Sequence, residues 1–254
     1  DTIVRRGGVR PEVLLLEPRP EHSNPLHGNI VIRADALPHE YDLVLELAAA
    51  LSRYEPACCK VARYWPRLDG VQGAFFSRIR RHLNVYAEHC SEYSRMRSAL
   101  EAAHHAGVVA APTDAGLSNL QGALRAEASA IAWHEYYFDN LAPGGTAAPT
   151  SGKLFDAAVK SFGSWDTFIA DFKGVSTMRG IGWAVTFQDP TTGLLSNHWI
   201  TLHNDGAPAG YKPVLVMDAW EHAFVPDYKP TERAKYVEAY FGNIDWSAVE
   251  KRIA

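Results

Sequence analysis

Cysteine is scarce in this chain: Cys58, Cys59 and Cys90 are the only three in 254 residues, and two of them are adjacent. Adjacent cysteines are poorly placed to bridge each other, and no C-x-x-C occurs, so a disulfide framework is excluded. A reducing compartment is the simpler expectation, which we read as cytoplasmic with a mitochondrial setting as the alternative. Long apolar runs are missing as well. The stretch VLELAAALSR is shorter than a membrane span and is broken by charge, so no membrane partner is expected. There is no basic excess either, with 25 Lys and Arg against 29 Asp and Glu and a net charge of -4. That argues against a nucleic-acid binder. It leaves a small anionic substrate open, because the local potential in a cleft can oppose the overall charge. Neither internal repeats nor low-complexity tracts occur, and no signal-peptide pattern opens the chain, where Arg5 and Arg6 lead into a Pro-rich polar stretch. What remains is ordinary globular composition, 47% hydrophobic and 21% charged, enough to bury a sizeable core without staples.

Three segments follow from punctuation and periodicity. Residues 1–65 read as an N-terminal extension broken by Pro11, Pro18, Pro20 and Pro25, with short edge strands in VLLLE and NIVIRA. This extension ends in one helix over about 42–63, where Leu43, Val44, Leu47, Ala50 and Leu51 recur at helical spacing. Residues 66–145 hold two long helices, about 76–103 and 117–137, joined through GVVAAPTDAG into a helical hairpin. LAPGGTAAPTSG then marks a boundary, and 146–254 changes character. Two short amphipathic helices come first, KLFDAAVKSFG and SWDTFIADFKGVS, the second with Ser164 as its N-cap. They lead into three strands (WAVTFQD, LSNHWITLH and KPVLVMD) and a closing helix over about 231–240. The fold class is α+β: a long-helix hairpin, then a domain with a three-stranded antiparallel sheet and surrounding helices.

Mononuclear redox metals favour imidazole and carboxylate ligands supplied from separate elements. His134 lies on the third helix, and Asp218 and His222 lie just past the last strand, four residues apart. Taken alone, His134 reads as a satisfied structural histidine, Glu221 as a solvated charge, and Trp183 and Trp220 as core aromatics. They do not stand alone. MDAWEHAFVPDY resembles the D-x-W-E-H-A-Y signature of iron/manganese superoxide dismutases. WHEYYFDNLAPGG resembles that family's second-ligand segment, FGSWDTFIADF its inter-domain helix, RGIGWAVTF its first strand and NIDWSAVEKRI its C-terminus. The likeness runs in order from about Ala130 to the end of the chain.

The resemblance implies one iron or manganese ion per subunit, held by three His and one Asp, with bound solvent as the fifth ligand. His134, Asp218 and His222 match three of those ligands. Trp183 and Trp220 match aromatics that keep the metal dry. Glu221 matches a carboxylate that reaches the partner subunit's ligand His, which implies a homodimer through the Glu221/His222 region. Two alignments compete for the remaining ligand. One anchors on LPHEYD and puts Pro56 at the ligand position, which would break the site. The other anchors on LDGVQGAFFSRIRRHLNVY and supplies His82, 52 residues before His134, a separation that suits one helical hairpin.

Several positions depart from the family's pattern. Its gateway His and Tyr on the first ligand helix become Tyr86 and His89 in reversed order, and its third gateway residue becomes Val225. Its solvent-tuning Gln falls on Ala130 or Arg179. Arg179 is read either as a cationic donor beside the metal or as a salt-bridge partner elsewhere. His104 and His105 read as a helix-end cap or exposed loop, and His198 and His203 as pointing to solvent or a loop. The implied activity is disproportionation of superoxide by a metal cycling between +3 and +2. Two other readings stand beside it. One is a metal oxidase or oxygenase with a wider pocket around Val225 and Ala130, and the other is a non-catalytic structural member of a larger assembly.

Overall fold

The computed structural model describes residues 14–15, 30–31, 74–109, 115–225 and 227–254. The helix expected over 42–63 and most of the extension lie outside them. The chain divides into two compact units, 1–66 with 80–128 and 67–79 with 129–254. The boundaries at 79/80 and 128/129 fall within the two long helices.

In the first unit, β1 (Leu14–Leu15) and β2 (Ile30–Val31) pair antiparallel, Leu14 opposite Val31. They fall inside the two stretches read as edge strands. Helix α1 spans Ala74–His105 and α2 spans Ala115–Asp139, each slightly longer than periodicity suggested. His82, Leu83, Tyr86 and Cys90 are all buried on α1, and steps of three and four residues place them on one face. Beside that face, His89 Nδ1 lies 2.6 Å from Glu127 Oε2 of α2. His104 and His105 are exposed in the last turn of α1, where a helix C-terminus favours positive charge.

Besides residues 67–79, the second unit holds the end of α2, whose Trp133, His134, Tyr137 and Phe138 are buried. Then come α3 (Lys153–Phe162) and α4 (Trp165–Ser176). Gly163 closes α3 in the left-handed region, its N–H donating to Val159 O at 2.9 Å. Ser164 opens α4, its Oγ accepting from Thr167 N at 3.0 Å. The sheet order is β4-β3-β5, with β3 (Trp183–Gln188) between antiparallel β4 (Leu195–Ile200) and β5 (Lys212–Asp218). Every residue of β3 is buried, so the alternation that marks a half-solvated strand is lost there. The register sets Trp183, first in β3, opposite Ile200 on one side and Asp218 on the other. Gly182 precedes it at φ +149°, where a Cβ would overlap the Ile200 carbonyl. Short α5 (Glu221–Phe224), a 3-10 turn at Pro230–Glu232, α6 (Arg233–Phe241) and α7 (Trp246–Glu250) complete the unit. Periodicity had anticipated α6 but not α5 or α7, because helices of four or five residues carry no periodic signal.

Candidate metal centre

His134 sits on the last stretch of α2, and its Nδ1 lies 2.8 Å from the Ala130 carbonyl one turn earlier. A carbonyl only accepts, so Nδ1 carries the proton and Nε2 presents its lone pair. This is how ligand imidazoles are usually oriented. Asp218 ends β5. Its Oδ1 accepts from Trp220 N at 2.7 Å, and its carbonyl accepts from Tyr236 Oη of α6 at 2.7 Å. Asp218 is thus held at both its side chain and its main chain. The chain then turns at Trp220 into α5, which carries His222 back towards the same point.

The three side chains converge. His222 Nε2 lies 3.0 Å and His134 Nε2 3.6 Å from the same oxygen, Asp218 Oδ2. The two imidazole rings stack at 5.5 Å, and the ligand atoms all lie within 4.8 Å of one another. His134 and Asp218 are fully buried, while His222 keeps 22% of its side chain exposed, so the cluster opens on that side. An ionised carboxylate this deep is unfavourable without a compensating positive charge. Two imidazole nitrogens and one carboxylate oxygen are a donor set suited to a transition metal. Donors bound at about 2.0–2.2 Å to one ion stand about 3 Å apart near right angles, close to the separations here. The residues present therefore fit an iron or manganese ion.

An aromatic wall surrounds the cluster. Trp183 meets the His134 ring edge-on at 5.0 Å, and Trp220 stacks near His222 at 6.2 Å. His203, expected to face solvent or a loop, corrects that expectation. It does lie in the turn after β4, but its ring stacks on Trp220 at 4.4 Å and 13°. Its Nδ1 accepts from Trp183 Nε1 at 3.1 Å, and its carbonyl accepts from Trp133 Nε1 at 2.7 Å. No sequence signal distinguished it, because alternation ends with the strand. The register does so, since Ile200 lies opposite Trp183 and the chain leaves β4 beside that indole. His198 instead packs edge-on to Phe187 and lies 2.8 Å from Ser196 Oγ.

The remaining site residues fall as follows. Arg179 is exposed on the loop before Gly182, and the group that meets the tryptophans is His203. Glu221 and Val225 are exposed at the two ends of α5. Glu221 lies within electrostatic reach of Arg233, whose guanidinium is held below its ordinary pKa mainly by burial. Arg233 donates to Met178 O at 2.6 Å and Gly180 O at 2.5 Å, tying down the loop that carries Arg179. His82, Tyr86 and His89 belong to the helical unit described above.

A buried cluster of imidazole and carboxylate in a wall of tryptophans marks a candidate metal site. Residues 150–252 match the family model for the C-terminal domain of iron/manganese superoxide dismutases. Among its relatives, the Mn/Fe superoxide dismutase of Aeropyrum pernix is 38% identical over 122 residues, 47% of this chain and 56% of that protein. The manganese superoxide dismutase 2 of Halobacterium salinarum is 35% identical over 116 residues, 46% and 56% of the two chains. The manganese enzyme of Mycolicibacterium paratuberculosis is 37% identical over 122 residues, 48% and 58%. The likeness spans less than two thirds of the length of these relatives.

Proposed function

We propose that this chain disproportionates superoxide, turning two superoxide anions and two protons into one dioxygen and one hydrogen peroxide. The observation that carries the reading is the convergence of His134 Nε2, Asp218 Oδ2 and His222 Nε2 beside a domain that matches the superoxide dismutase family. His82 is the fourth ligand in this reading, supported by its complete burial on the same face of α1 as Leu83 and Tyr86. One ion of iron or manganese is held per subunit, and when bound it supplies a one-electron couple that accepts an electron from one superoxide and returns it to a second.

The chain's own residues do the rest. Three neutral imidazoles and one carboxylate leave the cage net positive around a divalent or trivalent ion, which draws a small anion inward. Trp183 and Trp220 exclude water, which strengthens every charge interaction within the wall. Tyr86 and His89, on α1, line the approach, with His89 oriented by Glu127. The exposed Glu221 makes the homodimer contact next to His222. Among the described residues no helix is long and apolar enough to cross a membrane. The scarcity of cysteine accords with a reducing compartment, the cytoplasm before a mitochondrion.

The experiment is a dismutase assay on purified protein loaded with iron or with manganese. Activity well above the same concentration of free metal is expected, and none above it for either metal would sink the proposal.

A further inference from the structure

Trp183 meets His134 edge-on at 5.0 Å, and its indole also faces Trp133, the ring centroids 6.3 Å apart and tilted by 32°. Trp133 in turn faces Tyr136, again at 6.3 Å. The two stand three residues apart on α2 and so share a face. Exposure grades along the line: Trp183 is fully buried, Trp133 is 7% exposed and Tyr136 is partly exposed. Indole and phenol are the aromatic side chains that lose an electron most readily. The three rings therefore form an unbroken line of oxidisable groups from the wall of the metal centre to the surface.

We infer that this line is an escape route, carrying oxidising equivalents away from the metal centre to Tyr136. The inference rests on the metal-centre reading above. The oxidant is hydrogen peroxide, the product of the proposed reaction. When peroxide meets the reduced site, its O–O bond breaks, and two electrons and two protons turn it into two waters. The bound ion gives one electron. Trp183 gives the other and is refilled from Trp133, which is refilled from Tyr136. The phenolic proton of Tyr136 is one of the two protons, and solvent supplies the second. The products are an oxidised site, two waters and a neutral tyrosyl radical. A one-electron reductant of the ascorbate or thiol class then restores the phenol, together with a proton. Without the line, the same equivalent is left to attack the ligand His134.

Proton chemistry separates this line from the other aromatics of the core. Trp133 Nε1 donates to the His203 carbonyl at 2.7 Å. A carbonyl takes up no proton, so a hole on that indole stays mobile. The buried phenols of Tyr236 and Tyr240 donate to the Asp218 and Val216 carbonyls, which cannot take their protons either. Trp220 has His203 and His222 as ring neighbours, and neither imidazole passes a hole onwards. Tyr136 differs in being partly exposed. The Arg252 guanidinium lies 4.9 Å over its ring, which disfavours a radical cation there but not a neutral tyrosyl radical. Tyr136 therefore gives up its electron only as its proton leaves.

The test mixes hydrogen peroxide with the full chain, reduced and loaded with iron or manganese, whichever it retains. Electron paramagnetic resonance of rapidly frozen samples reads the radical, and peptide mass spectrometry reads the oxidised residues. A tyrosyl radical is expected in the metal-loaded wild type and not in the metal-free chain. Tyr136→Phe should lose that signal with metal content unchanged, and oxidation of Trp133 should rise several-fold. Trp133→Phe should lose it too, since a phenyl ring passes no hole, and should move the oxidation to Trp183 and His134. A metal-loaded wild type without the tyrosyl radical overturns the inference, and so does either variant that keeps the signal. Should Trp133→Phe fail to fold, Tyr136→Phe, which removes one hydroxyl from a partly exposed ring, decides the matter alone. A chain that binds neither metal overturns this inference and the metal-centre reading together. A metal-loaded chain that forms the Tyr136 radical but lacks dismutase activity supports the inference and refutes only the proposed superoxide reaction.

Discussion

Asp218 gathers the candidate site at a single oxygen, Oδ2, which the imidazoles of His134 and His222 both face. Replacing it by Asn keeps the shape and the Trp220 N–H contact but removes the charge that a cation requires. Asp218→Asn is therefore expected to lose bound metal, measured by elemental analysis after loading, with far-ultraviolet dichroism unchanged. A neighbouring phenol makes the opposite kind of contribution. Burial pushes the Tyr240 phenol well above its ordinary pKa, so it stays protonated and donates to Val216 O at 2.8 Å. That carbonyl also accepts from Asn140 Nδ2 at 2.5 Å. Tyr240→Phe thus leaves no carbonyl orphaned and should cost only about 1 kcal/mol, measured by urea denaturation, with metal content unaffected.

Among the elements, β3 aligns the centre. Its first residue, Trp183, is set beside Asp218 by the β3–β5 register and beside the start of the His203 turn by the β3–β4 register. Gly182 makes both possible, because its φ of +149° is one that side chains rarely adopt and the Ile200 carbonyl fills the Cβ position. Gly182→Ala should therefore destabilise the domain by more than about 2 kcal/mol, a backbone clash at a strained position being one of the few mechanisms of that size. Thermal unfolding checks this. An unchanged melting temperature would mean that β4 can shift away without harm.

Over the whole molecule, the ligands come from elements far apart in the chain. His134 lies before the domain-like segment that matches the family model, and Asp218 and His222 lie near its end. In the proposed reading such a centre is assembled only after the sheet closes, so metal content would report on folding. Glu221 stands exposed next to the half-exposed His222, the position from which the proposed homodimer contact is made. If that contact exists, light scattering on the wild-type protein will give twice the chain mass. Glu221→Ala will then shift the equilibrium towards monomer. A wild-type protein that stays monomeric at high micromolar concentration argues against it.

Much of this was legible from residue order. Apolar spacing located α1 and α2, β-branched and aromatic runs located the three strands, and the residues around Asp218 and His222 carried the resemblance that pointed to a metal. Those features are local, so a linear reading reaches them. Three others were not legible. The end of α2 packs with later elements, Trp133 against Trp183 and Phe187, a grouping that order along the chain does not carry. Arg179, read either as a donor near the metal or as a salt-bridge partner elsewhere, is exposed on a loop whose Met178 and Gly180 carbonyls accept from Arg233, a tie that residue order does not carry. His203 was read as peripheral, yet strand register and two tryptophans place it in the wall of the site. The sequence by itself brought forward His134, Asp218 and His222 as candidate ligands, because the resemblance is carried by local segments around each of them. Only the tertiary structure decided which side chains surround those ligands, because neighbours across a sheet are set by register and packing rather than by distance along the chain.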